Sequence, residues 1–398
     1  MLRTHLIRLY PNKKQEALLT KTVGAVRFCW NWGLAKWDEM YKRGEKCNQY
    51  ILDGIWTKER PDWSKEVYRD AQTRALLNLG GAYVAFFQKK QRHPTFHKRG
   101  RHDSFSIAGS KLRFTTDYKV ALPKIGDVRM AEKLRYSGRI MQCTVLRKAG
   151  RWFITISVEI PDVDKRKSEA GSLSAVGVDV GAKHWAFTSD GETLDRPQKI
   201  VQLTRRLKHL QRAIYRRKKD SKNRAKARLA FERMHVRISN IKSDAMHKFT
   251  SRLVKNHDLV CCENLCVEGM RRGLKHMGVA IQNSCHSGLR AMLAYKAQHY
   301  VEIDRFFPST RTCSRCGAKM EKLPLSKRSF VCSTCGYEIN RDFNAAINIR
   351  NEGLRVFTEG HSGSACGGCG SSVKVPLQNG ASVEAGSAIG HVTAEVPD

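Results

Sequence analysis

The sequence predicts a mixed α/β chain in two parts. A small β-barrel interrupted by a helical lobe comes first, and an α/β domain carrying an inserted four-cysteine module follows. Three observations predict this. Hydrophobic periodicity is helical from about residue 12 to Lys90 and changes to two from about Phe105 to Ile160. A fresh set of short apolar strands begins at Ala175. Two C-x2-C pairs at 313–316 and 332–335 interrupt that second part.

The chain has 398 residues, enough for two or three domains with a well-buried core. Hydrophobic content of 41% and charged content of 27% are ordinary for a globular protein. The chain has no apolar run long enough to span a bilayer. Its opening, MLRTHLIRLYPNKK, lacks the apolar core of a signal peptide. A cytoplasmic location is therefore expected, nucleoid-associated in a prokaryote, with no membrane and no obligate protein partner.

Net charge narrows the partner. There are 72 Lys and Arg against 37 Asp and Glu, a balance of +35. Cations at that density repel one another, and nucleic acid relieves them through counterion release. A membrane surface would favour one basic amphipathic helix, whereas this excess runs through most of the chain. Of the thirteen cysteines, four have metal spacing. Cys143, Cys261 and Cys262 sit in apolar strand-like text and read as small buried hydrophobes.

Taken in order, a strand over Leu2–Tyr10 ends at Pro11, and Asn12 is placed to cap a helix. The helical lobe, residues 12–99, shows an apolar face with Leu76, Leu79, Tyr83 and Phe86. RIMQCTVLRKAGRWFITISVEI reads as two strands folded over Lys148-Ala149-Gly150. Residues 1–11 and 100–163 together would form the barrel, and Asp162–Leu173 a polar linker. AVGVDVGAKHWAFTSDGE then reads as a hairpin whose first strand holds Asp179 in its middle. A long basic helical pair follows, with Leu203, Leu207, Leu210 and Ile214 on one seam and Met234, Ile238, Ile241, Ala245 and Phe249 on the other. Next come a buried strand, LVCCENL, a helix around Leu289–Tyr300 and a strand VEIDRF. The α/β domain spans 174–308 and 338–355, and the cysteine module 309–337. The Gly/Ser-rich text of 356–398 cannot bury enough surface to fold alone and reads as disordered. Its Cys366 and Cys369 form a C-x2-C without a partner pair.

Between Thr204 and Lys242 lie fifteen Lys/Arg and two acids. A solvated helix face usually mixes signs. One apolar seam and one cationic side suit a surface that tracks phosphate. The candidates are Arg216, Arg217, Lys218, Lys219, Lys222 and Arg224.

Cys313, Cys316, Cys332 and Cys335 can each offer a thiolate from a tight turn, with Gly317 and Gly336 free to take the backbone angles such turns need. Four thiolates complete a tetrahedral Zn2+ site with no open position, so this zinc would be structural. Two disulfides are the alternative, disfavoured without a secretory signal.

Asp179 and Glu263 each sit in strand-like apolar text, where an acid is costly unless paired or bound to a cation. Asp342 begins a helix, where its charge suits the dipole. Converging, the three could hold divalent ions about 4 Å apart for in-line attack on phosphate. Mg2+ fits, since it prefers oxygen ligands and keeps waters. Taken singly, Asp342 reads equally as a helix cap, Asp179 as a turn former and Glu263 as an ion-pair partner.

GVDVG, then CENL, then the four-cysteine ribbon, then NRDFNAAINI resemble the three split RuvC-nuclease motifs of the TnpB family and its zinc ribbon. TnpB proteins are transposon-encoded, are also called OrfB-type transposases, and are related to type V CRISPR effectors. The likeness extends to YPNKKQEALL…VRFCWNWGLAKW and SKNRAKARL, covering roughly residues 1–355. It implies an RNase H-like RuvC domain, a "wedge" β-barrel, a helical recognition lobe and RNA-guided DNA cleavage beside a short motif. The implied partners are a guide RNA from the transposon end and target DNA. The implied catalytic acids are Asp179, Glu263 and Asp342, with two Mg2+ ions, Asp179 and Asp342 holding the ion that activates water. The helix near Arg69–Leu79, with Arg69 and Thr73, would read the adjacent motif. Where the family often has Asp, this chain has Asn340. The rival readings are a strand-transfer transposase, a guide-bound repressor without cleavage and a zinc-containing DNA-binding module.

Overall fold

The computed structural model describes residues 2–100, 103–161, 173–181, 184–264, 285–321 and 328–362. Strand β1 (Leu2–Tyr10) leads into α1 (Lys13–Lys42) through a capping box. Asn12 Oδ1 accepts from Gln15 N at 2.9 Å, and Gln15 Oε1 accepts from Asn12 N at 3.0 Å. Helices α2 (Gln49–Glu59), α3 (Asp62–Lys65) and α4 (Arg69–Phe87) complete the lobe. Its own core is built on Leu34, Trp37, Leu52, Trp56, Leu76 and Leu79.

The chain then returns to the first sheet through β2 (Ser104–Ala108), β3 (Arg113–Thr116), β4 (Lys119–Leu122), β5 (Gly126–Met130), β6 (Arg139–Lys148) and β7 (Arg151–Glu159). The order is β2-β6-β7-β1-β5-β4-β3. Strands β6 and β7 fold over Ala149 and Gly150, with Lys148 paired to Arg151. Both turn residues have positive φ, 49° and 71°, which matches the twist of a two-residue hairpin.

The expected barrel is not closed. Among the described residues no ladder joins the end strands β2 and β3. These strands have only five and four residues, and helices cover the gap instead. Leu19 and Val23 of α1 and Ala71 of α4 enter the same buried core as Ile107, Val120, Val145 and Ile154. Apolar burial completes the layer where backbone pairing does not.

The second sheet comprises β8 (Ala175–Asp179), β9 (Ala186–Thr188), β10 (Thr193–Leu194), β11 (Leu259–Glu263) and β12 (His299–Ile303). Its order is β10-β9-β8-β11-β12. β8 is antiparallel to β9 and parallel to β11, and β11 is parallel to β12. Between β10 and β11 run α5 (Gln198–Arg216) and α6 (Lys222–Asn256). Helix α7 (His286–Lys296) precedes β12. Tyr300 therefore belongs to a strand and not, as expected, to that helix, which ends before it. The reason is parallel pairing, Tyr300 lying opposite Val260 of the buried β11.

Beyond β12, β13 (Ser329–Val331) and β14 (Glu338–Asn340) form a two-stranded piece. Helix α8 (Arg341–Ser362) then crosses the second sheet. It runs past residue 356, where a disordered tail was expected, because Leu354 and Phe357 pack into the core under β11 and Arg355 pairs with Glu352 and Glu359, both at 2.7 Å. The C-x2-C at 366–369 and most of the 162–173 linker lie outside the described residues. No helix among the described residues is long and apolar enough to cross a membrane.

Candidate active site and metal centre

Strand parity determines which way the acids face. In β8, Val176 and Val178 enter the core beneath α5 and α6, and in β11 Val260 and Cys262 do the same. Side chains alternate along a strand, so Ala175, Gly177 and Asp179 take the opposite face, as do Leu259, Cys261 and Glu263. That face is covered by α8, whose Ile349 packs with Leu259 and Cys261. Register Cys262↔Val178 leaves Glu263 and Asp179 as the next residues of two parallel strands, at their C-terminal ends. Ligand sites in open α/β sheets gather at such ends. Asp179 closes its strand and does not occupy the middle of it, which keeps part of its surface open to solvent.

Glycine lets the helix come close enough. A Cβ on Gly177 would lie 2.1 Å from the Ala346 carbonyl oxygen and 2.5 Å from Arg350 N. A Cβ on Gly353 would lie 2.2 Å from Cys261 Sγ. Helix α8 therefore rests on the sheet at two side-chain-free points and carries Asp342 in its first turn.

Asp342 is not that helix's cap. Asn340 Oδ1 accepts from Asp342 N at 2.9 Å and from Phe343 N at 3.2 Å, which leaves the Asp342 carboxylate available. It faces Arg328 Nη1 at 3.3 Å. Burial holds Asp179 well above the usual carboxylate range, and the charges of Glu263 and then Asp342 push it further, against Arg341. Burial also raises Glu263, opposed by a hydrogen bond from Ser309. Glu263's partner among the described residues is thus the Ser309 hydroxyl and not a cation. The acids share one electrostatic neighbourhood. They do not draw into a cluster as tight as that of the cysteines, which is the one such group found among the described residues.

The four cysteine sulfurs all lie within 4.8 Å of one another. Cys313 Sγ and Cys335 Sγ are 3.8 Å apart, Cys316 Sγ and Cys332 Sγ 3.6 Å. Those are not disulfide separations, which are about 2 Å. They match the roughly 3.8 Å edge of a tetrahedron with metal–sulfur bonds of about 2.3 Å. Each pair sits on a knuckle whose glycine, Gly317 or Gly336, has φ of 75° or 68° and donates its N–H to the carbonyl of Cys313 or Cys332. Backbone N–H groups of Cys335 and Thr334 favour the charged form of Cys332, while hydrogen bonds among the sulfurs push its neighbour Cys316 the other way.

The basic residues divide in two. Arg216, Arg217, Lys218, Lys219 and Lys222 are exposed at the tip of the α5–α6 hairpin, and Arg224 is half-buried. Arg69 and Thr73 instead turn towards α2. Arg69 Nη2 donates to Thr57 Oγ1 at 2.7 Å and pairs with Asp53 at 3.4 Å, and Thr73 Oγ1 donates to Asp53 Oδ1 at 2.9 Å.

Sequence reasoning did not single out Ser309, Arg328, Asn344 or Asn348. For the asparagines a signal existed: two amides four residues apart in the apolar run NAAINI share one helix face, and both are buried.

Three family models match the chain: "Helix-turn-helix domain" over residues 1–46, "Probable transposase" over 155–273 and "Cas12f1-like, TNB domain" over 286–349. Residues 2–42 here form one strand and a single long helix. The fold is shared with a Cas12f1 chain solved with sgRNA and target DNA. That match has a TM-score of 0.50 and 10% identity, covering 88% of this chain and 99% of that one. Among curated proteins, one from Streptomyces pristinaespiralis, provisionally assigned as an RNA-guided DNA endonuclease, is 32% identical over 92% of this chain and 91% of its own. An Escherichia coli K12 protein with the same assignment is 29% identical over 92% and 94%. The Cas12f1 endodeoxyribonuclease of Sulfoacidibacillus thermotolerans is 24% identical over 51% and 50%. The chain thus has a mixed α/β fold shared with Cas12f1. By its likeness to the Streptomyces protein it belongs to the TnpB family of RNA-guided DNA endonucleases.

Proposed function

We propose that this protein is a transposon-encoded, RNA-guided endonuclease that hydrolyses DNA at Asp179, Glu263 and Asp342. The observation that carries the reading is convergence: parity and register bring two strand-end acids to the face crossed by the helix that bears the third. The donor set is all oxygen and anionic. Asp179 is destabilised in its charged form by both neighbours, so a divalent cation relieves the repulsion that the fold imposes. These residues fit Mg2+.

When bound there, Mg2+ supplies Lewis-acid stabilisation of the phosphate and a more acidic water. The protein's own residues do the rest. Asp179 and Glu263 hold their carboxylates on rigid strands, and Asp342 holds its own on a capped helix turn. Arg328 keeps Asp342 charge-balanced until a cation takes that role. The four cysteines fit Zn2+ as a closed, structural site. The exposed cations of the α5–α6 tip grip phosphate without reading sequence. The helix α4 residues Arg69 and Thr73 read the motif beside the target, with Asp53 holding Arg69 by Nη2 and Thr73 by its hydroxyl. The RuvC reading of the second sheet rests on its order, three antiparallel strands (β10, β9, β8) followed by two strands parallel to β8. The wedge assignment rests on the first sheet and its helical insertion.

The test is cleavage of a matched duplex by the protein loaded with a guide RNA from its native locus, in Mg2+. Glu263→Ala should abolish cutting while guide and target binding stay near wild type. Cutting at the wild-type rate by that variant would overturn the site.

A further inference from the structure

Two buried asparagines on α8 tie the start of the four-cysteine module to that helix. Asn348 Nδ2 donates to the carbonyl oxygens of Ser309, at 2.8 Å, and Thr312, at 2.7 Å. Asn344 Nδ2 donates to the same Thr312 oxygen at 2.8 Å, while its Oδ1 accepts from Ser314 N at 2.9 Å. These contacts bracket Cys313, the first thiolate of the module. Asn344 and Asn348 have relative exposures of 0% and 5%, and a buried amide is retained at low cost only when it is hydrogen-bonded.

Ser309, buried itself, is the other end of the tie. Its N–H donates to the Phe307 carbonyl at 2.8 Å, its carbonyl is held by Asn348, and its hydroxyl donates to Glu263 Oε1. With both backbone groups engaged, the Ser309 main chain is fixed while its hydroxyl is held on the carboxylate. A carboxylate that accepts one such bond has one oxygen oriented by protein and the other free for a ligand. Groups that orient a metal-binding residue commonly change metal affinity or activity by 10–100-fold when removed.

We propose that Ser309 is a positioning residue for Glu263, held by Asn348, so that the four-cysteine module sets the geometry of an acid in the active site. This rests on reading Glu263 as a metal-binding acid. It assigns the module a role beyond its own stability: its first knuckle is the anchor from which the Glu263 carboxylate is aimed.

The experiment compares wild type, Ser309→Ala, Ser309→Thr and Glu263→Ala, each loaded with guide RNA. Free Mn2+ is followed by electron paramagnetic resonance without DNA, and single-turnover cleavage is followed over a Mn2+ series. Ser309→Ala should weaken Mn2+ binding about tenfold and raise the Mn2+ needed for half-maximal cleavage by a similar factor. Zinc content, thermal midpoint and target binding should stay at wild type. Ser309→Thr, which keeps the hydroxyl, should restore most of the affinity, which a purely structural role would not require. Wild-type Mn2+ binding and Mn2+ dependence in Ser309→Ala overturn the proposal. If Glu263→Ala also leaves Mn2+ binding unchanged, the active-site reading fails with it. If Glu263→Ala alone loses the ion, only the positioning role is lost.

Discussion

At the scale of single residues, what matters is which atom each polar group is forced to meet. Asn340 illustrates this. It spends its side-chain oxygen on two backbone N–H groups of α8. Asn340→Ala should cost about 1 kcal/mol of stability, the usual value of such a cap, and should loosen the turn that carries Asp342. Asn340→Asp keeps the acceptor and should leave the thermal midpoint nearly unchanged. Equal midpoints for all three proteins would show that the cap contributes nothing. Cys332 gives a second residue-scale test. Cys332→Ser leaves three thiolates, which hold zinc poorly. Metal analysis should find close to one zinc per chain in the wild type and much less in the variant. Zinc-free wild-type protein would remove the metal reading.

At the scale of elements, close approach and charge decide. Helix α8 can lie on β8 because Gly177 has no side chain. Gly177→Ala forces its new methyl group against helix backbone, which cannot rotate away as a side-chain end can. Overpacking of this kind costs about 1–3 kcal/mol, and here it also lifts Asp342 away from Asp179. Chemical denaturation should show the loss, with cleavage falling further than stability alone explains. A variant as stable as wild type would mean that the helix shifts freely. The α5–α6 hairpin tests charge. Neutralising Arg216, Arg217, Lys218 and Lys219 together should weaken binding to all sequences alike. The slope of log affinity against log salt should flatten by about three to four units if all four contact phosphate. An unchanged slope would make the tip a solvated face.

At the scale of the whole molecule, a +35 chain folds against its own repulsion and gains from any polyanion bound to the native state. Guide RNA should raise the thermal midpoint by several degrees at low salt, and the increment should shrink as salt rises. A midpoint indifferent to RNA at every salt concentration would argue that the cationic surfaces are not an RNA-binding track. Adjacent buried cores support this surface. One is shared by the first sheet and α1, one lies inside the helical lobe, and two lie on opposite faces of the second sheet.

Local patterns were legible in the sequence because local physics writes them. The Asn12 cap, the turn around Lys148-Ala149-Gly150, the alternating strands β6 and β7, and the spacing of four cysteines each depend on residues a few positions apart. Of that turn, Lys148 proves to be the last residue of β6. Asp179 and Glu263 were legible as candidates because acids in apolar strand text carry a visible cost, whereas Asp342, at a helix start, joined them through the motif resemblance. What the sequence could not decide depends on residues far apart in the chain. Whether the first sheet closes depends on short edge strands competing with helices α1 and α4 for the same apolar surface, and the helices win. Whether three acids meet depends on the register between β8 and β11, more than eighty residues apart, and on the two glycines that let α8 settle over them. Ser309 escaped notice for the same reason: a serine beside proline reads as a turn. Only the folded chain places its hydroxyl on Glu263 and its carbonyl under Asn348.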